Sequence, residues 1–287
     1  MYERKEEYFE NSLHTDGKRR SAFLKEKQVY AIWSNPERSG KENFKRFFDV
    51  LEYAKSFSAF PKIIKGRESL DENGALLSVE GAGLLEGDEQ RIELLYENGV
   101  RLITLTWEGE NCVGGAYDTD LGLTRFGKTV CEICAEKGVI VDVSHLSDKG
   151  TSEVLDISRT TGLSVLASHS CFRALCGIRR NLSDKHARAL AELGGCIGIN
   201  LVGEHLTNGY FSNGAQLCDV MRHIEYARNL MGKEAVCIGA DFDGTEKLPS
   251  EICGFQDIEK LYNLMPVGIA EDVFYNNAYN FFKRSLK

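Results

Sequence analysis

The fold is decided by residues 124–170, TRFGKTVCEICAEKGVIVDVSHLSDKGTSEVLDISRTTGLSVLASHS. In this stretch an amphipathic helical pattern leads into the apolar run VIVDV, and a second helical pattern leads into the apolar run SVLA. Short runs of Val, Ile and Leu that do not alternate with polar residues are typical of parallel strands buried on both faces. The stretch therefore predicts two consecutive helix–strand units of an α/β fold.

The same alternation continues outward in both directions along the chain. It predicts seven strands, at 28–33, 75–79, 101–106, 139–143, 164–167, 196–201 and 236–239. The helical patterns between and after them cover 40–56, 87–98, 124–137, 148–161, 183–193, 214–231, 255–264 and 269–284. There are only four prolines and no linker-like tract, so residues 1–287 are predicted to form one domain built on a parallel sheet. A closed barrel of this class has eight strands, one more than the sequence supplies.

Composition excludes several classes of protein. Of the 287 residues, 43% are hydrophobic and 27% charged, a balance typical of a globular domain. The net charge of −8 argues against nucleic acid as a partner, because phosphate binding requires a basic surface. No apolar run reaches the ~18 residues of a membrane span. The charged start, MYERKEEYFEN, has no apolar segment, so we expect no signal peptide.

The nine cysteines indicate a reducing compartment. Their number is odd and no secretion signal accompanies them, so we expect free thiols and a cytoplasmic location. Cys131 and Cys134 form a C-x-x-C, but in the middle of a predicted helix, whereas a redox pair stands at a helix N-terminus. We expect these two thiols to be packed in the core.

Polar residues follow the predicted strands at the points where the strands end. They are Glu80; Trp107, Glu108 and Asn111; Ser144 and His145; Ser168, His169 and Ser170; and Asp241 and Asp243. Because the carboxyl ends of parallel strands meet at one end of a barrel, imidazoles and carboxylates there can converge on a divalent metal. Taken singly, each such residue has a simpler interpretation as a hydrogen-bonded rim residue or a helix N-cap.

Other residues carry weaker signals. Arg179-Arg180 lies in a loop and is either a carboxylate-binding pair or a solvated basic pair. His186 and His223 fall in predicted helices, and we expect His186 to be exposed and His223 to pack against the sheet. No G-x-S-x-G elbow occurs, so the sequence gives no support to covalent hydrolysis through a serine.

Together, these segments resemble the membrane (renal) dipeptidase family of zinc metallodipeptidases, in its bacterial branch. The resemblance rests on LLSVEGAGLLEGD, NGVRLITLTWEGEN, VIVDVSHLSD, VLASHSCFRALCGIRRNLSD and GADFDG, which occur in that order. It implies a (β/α)8 TIM-type barrel of the metallo-dependent hydrolase kind with a two-metal centre, usually zinc. The implied reaction is hydrolysis of dipeptides by a metal-bridging hydroxide, often with a D-residue at the second position, and a homodimer is common.

The resemblance also implies roles for individual residues. Glu80 matches the carboxylate that bridges both metals, and His145 and His169 match the other ligands of one of them. Arg180 matches the arginine that holds the substrate carboxylate. Asp241 matches an acidic residue at the second metal that is implicated in proton transfer.

One departure from the family pattern affects the second metal. The family begins with a strand ending in His-x-Asp, and here the only His-x-Asp is His14-Thr15-Asp16, which follows no apolar strand. We therefore expect His14 and Asp16 not to be ligands, the first strand to be missing, and residues 1–287 to be truncated relative to the family. Whether this reflects a miscalled start or a true loss stays open; an open sheet would be weakly stable or would oligomerise.

Three functions follow from these observations. The first is a metallodipeptidase, with activity impaired in this chain by loss of the His-x-Asp ligands. The second is a catalytically inactive barrel kept as a binding or scaffold protein. The third is another barrel metallohydrolase, acting on cyclic amides, but the sequence shows no further histidine pair at the strand ends to support it.

Overall fold

The computed structural model describes residues 1–22, 27–71 and 73–287. Within these ranges it contains seven strands, and each pairs in parallel with the next in chain order. They are β1 Lys27–Trp33, β2 Gly74–Glu80, β3 Val100–Thr104, β4 Ile140–Asp142, β5 Val165–Ser170, β6 Ile197–Ile199 and β7 Val236–Ile238. All seven predicted strands are confirmed, and among the described residues no strand precedes β1.

Helices connect these strands throughout the described ranges. The α-helices are α1 Gly17–Arg20, α2 Gly40–Lys55, α3 Gln90–Glu97, α4 Arg125–Lys137, α5 Asp148–Thr161, α6 Asp184–Glu192, α7 Gly203–Leu206, α8 Tyr210–Asn213, α9 Leu217–Met231, α10 Ile258–Tyr262, α11 Val267–Glu271 and α12 Asn277–Ser285. Single 3₁₀ turns occur at Arg67–Ser69, Ala82–Leu85, Lys233–Ala235 and Phe255–Asp257. The helix predicted at 269–284 is divided into α11 and α12 by the π-helical turn Asp272–Asn276.

Local chemistry explains why residues 124–170 fold as predicted. Thr124 caps α4 by accepting a hydrogen bond from the backbone N–H of Gly127, and Gly138 ends the helix with φ +72°. Helix α5 is capped in the same way: Ser147 is its N-cap, and Gly162, with φ +74°, ends it. Strands β2, β3 and β4 are buried along nearly their whole length, which accounts for their non-alternating sequences.

The chain divides into two compact units. One, which we call the 27–166 unit, consists of the described residues of 25–166 together with 282–287. It includes strands β1 to β4 and the first two residues of β5. The other, the 167–281 unit, contains the rest of β5, strands β6 and β7, and the described residues of 3–24. The division falls inside β5, between Leu166 and Ala167, so this strand contributes to the sheet of both units. That residues 1–287 form one domain stays a prediction.

The structure tests the predictions made for the cysteines and for His186. All nine cysteines lie in the described ranges and are free. Cys131 and Cys134 are fully buried on α4, and burial raises the pKa of the Cys131 thiol to about 12, as expected for packed thiols. His186 is buried, so its predicted exposure was wrong: its ring folds back onto the N-cap of α6, with Nδ1 3.0 Å from Ser183 Oγ. No helix in the described ranges has the length and apolarity to cross a membrane.

Candidate metal centre

Glu80 is the last residue of β2 in the 27–166 unit. It pairs in register with Trp33 of β1 and Thr104 of β3. The next residue, Gly81, adopts φ +89° and donates its N–H to Thr104 O at 3.0 Å, which turns the chain sharply at the strand end. The Glu80 side chain is 15% exposed, so its carboxylate is nearly withdrawn from solvent at the edge of the sheet.

His145 follows β4 in the same unit and is held in the left-handed conformation, with φ +65°. Its carbonyl accepts two hydrogen bonds, one from the Tyr117 N–H at 2.7 Å and one from Thr106 Oγ1 at 3.2 Å. A left-handed histidine is strained and persists where surrounding contacts determine it. The two bonds to its carbonyl supply that constraint.

Asp142, at the end of β4, holds the loop that carries His145 through hydrogen bonds to its buried carboxylate. Its side chain is completely buried; Oδ1 accepts the Ser144 N–H at 2.9 Å, and Oδ2 accepts the Thr104 hydroxyl at 2.6 Å. Sequence reasoning read Asp142 only as part of a strand. The available signal was a carboxylate within the apolar run VIVDV, since a buried charge requires hydrogen-bond partners.

The ring of His145 faces Glu80 with a defined tautomer. Its Nδ1 lies 2.9 Å from Trp107 O, and because a carbonyl only accepts, Nδ1 carries the hydrogen. In the neutral ring Nε2 therefore presents a lone pair, and it lies 3.2 Å from Glu80 Oε1, a second acceptor. Two facing acceptors require a proton or a cation between them. A histidine that donates from its other nitrogen to a carbonyl is the usual form of a metal ligand, so the pair fits a divalent cation.

His169 lies on β5, three residues after Leu166, which pairs with Asp142 of β4. The register between β5 and β6 shifts between Ala167 and Ser170, so His169 sits in a bulge, a feature that commonly redirects a side chain. Its Nδ1 is 2.7 Å from Ser168 Oγ. His169 belongs to the 167–281 unit, whereas Glu80 and His145 belong to the 27–166 unit.

Two glycines hold this bulge in the 167–281 unit. A Cβ built on Gly198 of β6 would lie 2.1 Å from Ser168 O, and one on Gly239, after β7, would lie 1.9 Å from the same oxygen. The carbonyl of Ser168, the residue before His169, therefore packs directly against two glycine backbones. Sequence reasoning missed both residues, although the repeated Cys-Ile-Gly at 196–198 and 237–239 was a visible signal.

Arg180 packs against the same strand. Its side chain is buried, its Nη2 donates to His169 O at 3.0 Å, and its Nη1 donates to Ser170 Oγ at 3.3 Å. The solvated alternative for Arg180 is thereby excluded. The guanidinium is therefore fixed against the segment that carries His169.

Asp241, His14 and Asp16 all belong to the 167–281 unit. Asp241 follows β7 with φ +58°. Asp16 caps α1, and its carboxylate pairs with Arg19 at 2.7 Å. Burial opposes ionisation of Asp16, but the hydrogen bonds from Arg19 prevail and lower its pKa. The Asp16 carboxylate is therefore engaged with Arg19.

His14 uses its imidazole in the opposite way to His145. Its Nδ1 accepts the backbone N–H of Asp243 at 3.1 Å. With the Nδ1 lone pair occupied, Nε2 carries the hydrogen in the neutral ring, and neither nitrogen offers a lone pair to a metal. That His14 and Asp16 are not ligands stays a prediction.

Comparison with known proteins points to one family. The model of the membrane dipeptidase family, peptidase family M19, matches residues 5–277. An uncharacterized protein from the pqqA 5′ region of Klebsiella pneumoniae is 32% identical over 196 residues, which are 65% of this chain and 71% of that protein. Dipeptidase aclJ of Aspergillus oryzae is 32% identical over 198 residues, 67% of this chain and 44% of that protein. Mouse dipeptidase 3 is 28% identical over 214 residues, 70% of this chain and 42% of that protein.

Solved structures share the fold. The dipeptidase AC, a metallopeptidase of family M19, superposes with a TM-score of 0.86 at 21% identity, covering 96% of this chain and 90% of that one. A metallopeptidase from Rhodobacter sphaeroides, solved with a phosphinate mimic of the dipeptide L-Ala-D-Ala, gives 0.86 at 20% identity, covering 96% and 91%. These likenesses confirm the predicted α/β fold of the TIM-type metallo-dependent hydrolases.

Proposed function

Because this chain belongs to the membrane dipeptidase family, peptidase family M19, we propose that it is a metal-dependent dipeptidase. The observation that carries the proposal is the approach of His145 Nε2 to Glu80 Oε1 at 3.2 Å, with the Trp107 carbonyl selecting the tautomer that a metal requires. The match covers less than half of the two relatives named as dipeptidases, so the activity itself has to be measured.

We assign Glu80, His145 and His169 to one divalent cation. Two imidazoles and one carboxylate are a common donor set for zinc at catalytic sites, which favours zinc. When bound, such a cation polarises a peptide carbonyl and activates water. The chain's own contribution is to fix the donors: Trp107 O orients His145, the bulge in β5 orients His169, and the turn at Gly81 ends β2 at Glu80.

Substrate would be held by Arg180 and processed with the help of Asp241. The Arg180 guanidinium is rigidly attached to the His169 segment, so a substrate carboxylate bound to it would stand at a fixed distance from His169. Asp241, three residues after β7, would accept and return the proton during cleavage. Because a related structure holds a mimic of L-Ala-D-Ala, we propose dipeptides with a D-residue at the second position as substrates.

The second metal of the family is the weak point of this site. Only Glu80 and Asp241 remain as its candidate ligands, because Asp16 is engaged with Arg19 and His14 Nδ1 with Asp243. We therefore expect one tightly bound cation per chain. This observation also favours the alternative function, a catalytically inactive member kept as a binding or scaffold protein.

The two functions are separated by metal content and hydrolysis measured on the same preparation. We expect about one zinc per chain after purification in zinc-containing buffer, and hydrolysis of L-Ala-D-Ala that is abolished by chelation and restored by zinc. Glu80→Gln, which keeps the size of the side chain and removes its charge, should lose both signals. A folded protein that binds zinc and cleaves neither L-Ala-D-Ala nor L-Ala-L-Ala would overturn the dipeptidase proposal in favour of the alternative.

A further inference from the structure

The turn after β7 is strained at two positions. Asp241 and Asp243 both adopt left-handed backbone conformations, with φ of +58° and +68°. The backbone N–H of Gly244 donates to Asp241 O at 3.1 Å and closes the turn. Two non-glycine residues in this conformation within one four-residue turn are unfavourable, so contacts from outside the turn have to hold it.

Gly244 sets the position of the Asp241 carboxylate. A Cβ at residue 244 would lie 2.2 Å from Asp241 Oδ1 and 3.3 Å from Asp241 O. The carboxylate thus rests directly against the glycine backbone, and the conformation of the turn decides where this side chain is presented.

His14, 229 residues from Asp243 in sequence, supplies such outside contacts. The His14 N–H donates to Asp243 Oδ1 at 2.6 Å, and the Asp243 N–H donates to His14 Nδ1 at 3.1 Å. This reciprocal pair fixes both the side chain and the backbone of Asp243. The imidazole also lies beside Phe242, with ring centroids 6.0 Å apart. His14 therefore contacts two of the four residues in the turn.

His14 is itself firmly held. Its carbonyl accepts the Phe255 N–H at 2.8 Å and Arg19 Nη1 at 3.1 Å. Arg19 is in turn paired with the buried carboxylate of Asp16. The segment from His14 to Arg19 is thus held in place by its own hydrogen bonds and ion pair, so it can support the turn.

We propose that His14 is a positioning residue that holds the Asp241–Gly244 turn and so fixes the Asp241 carboxylate. The effect on catalysis rests on the proposed function, because it requires Asp241 to take part in dipeptide cleavage. The effect on the turn does not, since the two hydrogen bonds between His14 and Asp243 exist whatever the chain catalyses.

The test measures amide hydrogen exchange of the 237–246 segment in the full chain, for the wild type and four variants. His14→Ala removes the acceptor of the Asp243 N–H and should accelerate exchange of that amide about tenfold, the effect of one lost hydrogen bond. His14→Asn places a carbonyl oxygen near the position of Nδ1 and should restore wild-type protection. His14→Gln places its oxygen near Nε2 instead and should not. The matched control is Ser12→Ala. Ser12 lies two residues before His14, and its hydroxyl donates a hydrogen bond to Glu6.

A second readout connects the turn to catalysis. If the wild type cleaves L-Ala-D-Ala, His14→Ala should lower kcat about tenfold with KM nearly unchanged, and His14→Asn should recover it. Unchanged exchange in His14→Ala, or equal exchange in His14→Ala and His14→Asn, would overturn the positioning role. If the wild type is inactive, the proposed function fails, and the exchange arm still decides whether His14 holds the turn.

Discussion

His145 is itself left-handed and His14 contacts a left-handed residue, Asp243, and the two histidines use the same ring atom in opposite ways. His145 Nδ1 donates to the carbonyl of Trp107, which leaves a lone pair on Nε2 opposite Glu80. His14 Nδ1 accepts from the backbone N–H of Asp243, which leaves a hydrogen on Nε2. The backbone group that meets Nδ1 therefore decides whether a histidine can bind metal, whatever its neighbours in sequence.

Two other histidines extend the comparison. His223 accepts the Phe172 N–H at Nδ1, 3.1 Å away, and lies 3.0 Å from Leu206 O through Nε2, so both of its nitrogens are used in structure. His169 meets the hydroxyl of Ser168, which can either donate or accept. The contact with Ser168 is therefore compatible with either tautomer of His169.

The strongest way to break the comparison is to truncate each histidine. His145→Ala removes a proposed metal ligand, and we expect zinc affinity to fall by at least about 100-fold, since even second-layer partners of a metal site cost 10–100-fold. His14→Ala should change zinc affinity less than about threefold. Competition with a chromophoric chelator measures both, and equal losses in the two variants would refute the tautomer argument.

The second prediction concerns acid stability through His223. Burial lowers the pKa of His223 to about 4, below the ~6.5 of an unfolded histidine, so at intermediate pH the unfolded chain binds the extra proton. Stability is then retained above about pH 6.5 and lost as the pH falls toward 4, with a total on the order of 3 kcal/mol from this group. Urea unfolding of wild type and His223→Gln at pH 7 and pH 4.5 should show their difference shrinking in acid. A constant difference would contradict this assignment.

A third prediction tests how His145 is presented. Asp142→Ala leaves the Ser144 N–H and the Thr104 hydroxyl without their buried acceptor, and we expect a loss of about 2 kcal/mol in the free energy of unfolding. The matched control is Asp156→Ala on α5, where an exposed carboxylate pairs with Arg159. That change should cost less than about 0.5 kcal/mol, because exposed ion pairs contribute little. Similar losses in both variants would show that Asp142 does not organise the loop.

The smallest effect is expected at Ser168. Ser168→Ala removes the hydroxyl that orients the ring of His169, and zinc affinity should fall about tenfold, at the lower end of the range for such partners. Ser152→Ala on α5, whose exposed hydroxyl donates to Asp148 O, is the control. An unchanged affinity would mean that the bulge alone orients His169.

Sequence patterns predicted the strands because buried parallel strands are short and uniformly apolar, as β2, β3 and β4 are. They also placed Glu80, His145, His169 and Asp241 at strand ends, where the structure finds them at or just after β2, β4, β5 and β7; that these residues bind metal stays a prediction. The patterns could not predict which ring nitrogen of His145 or His14 carries the hydrogen. That depends on backbone partners 38 and 229 residues away in sequence. His186 was misjudged for a local reason, because its ring turns back to its own helix cap and leaves the solvent.

The packing of Gly198 and Gly239 against Ser168 limits which substitutions this sequence can accept. Gly198 and Gly239 both pack against the carbonyl oxygen of Ser168, and neither has a side chain that could become smaller to make room for one on the other. In a saturation-mutagenesis library both codons should be depleted of every substitution, alanine included, with no compensating pairs. Gly268, where a Cβ would meet nothing within 4 Å, should accept replacements freely. Lineages that keep the bulge beneath His169 are therefore bound to keep both glycines, whatever else they exchange.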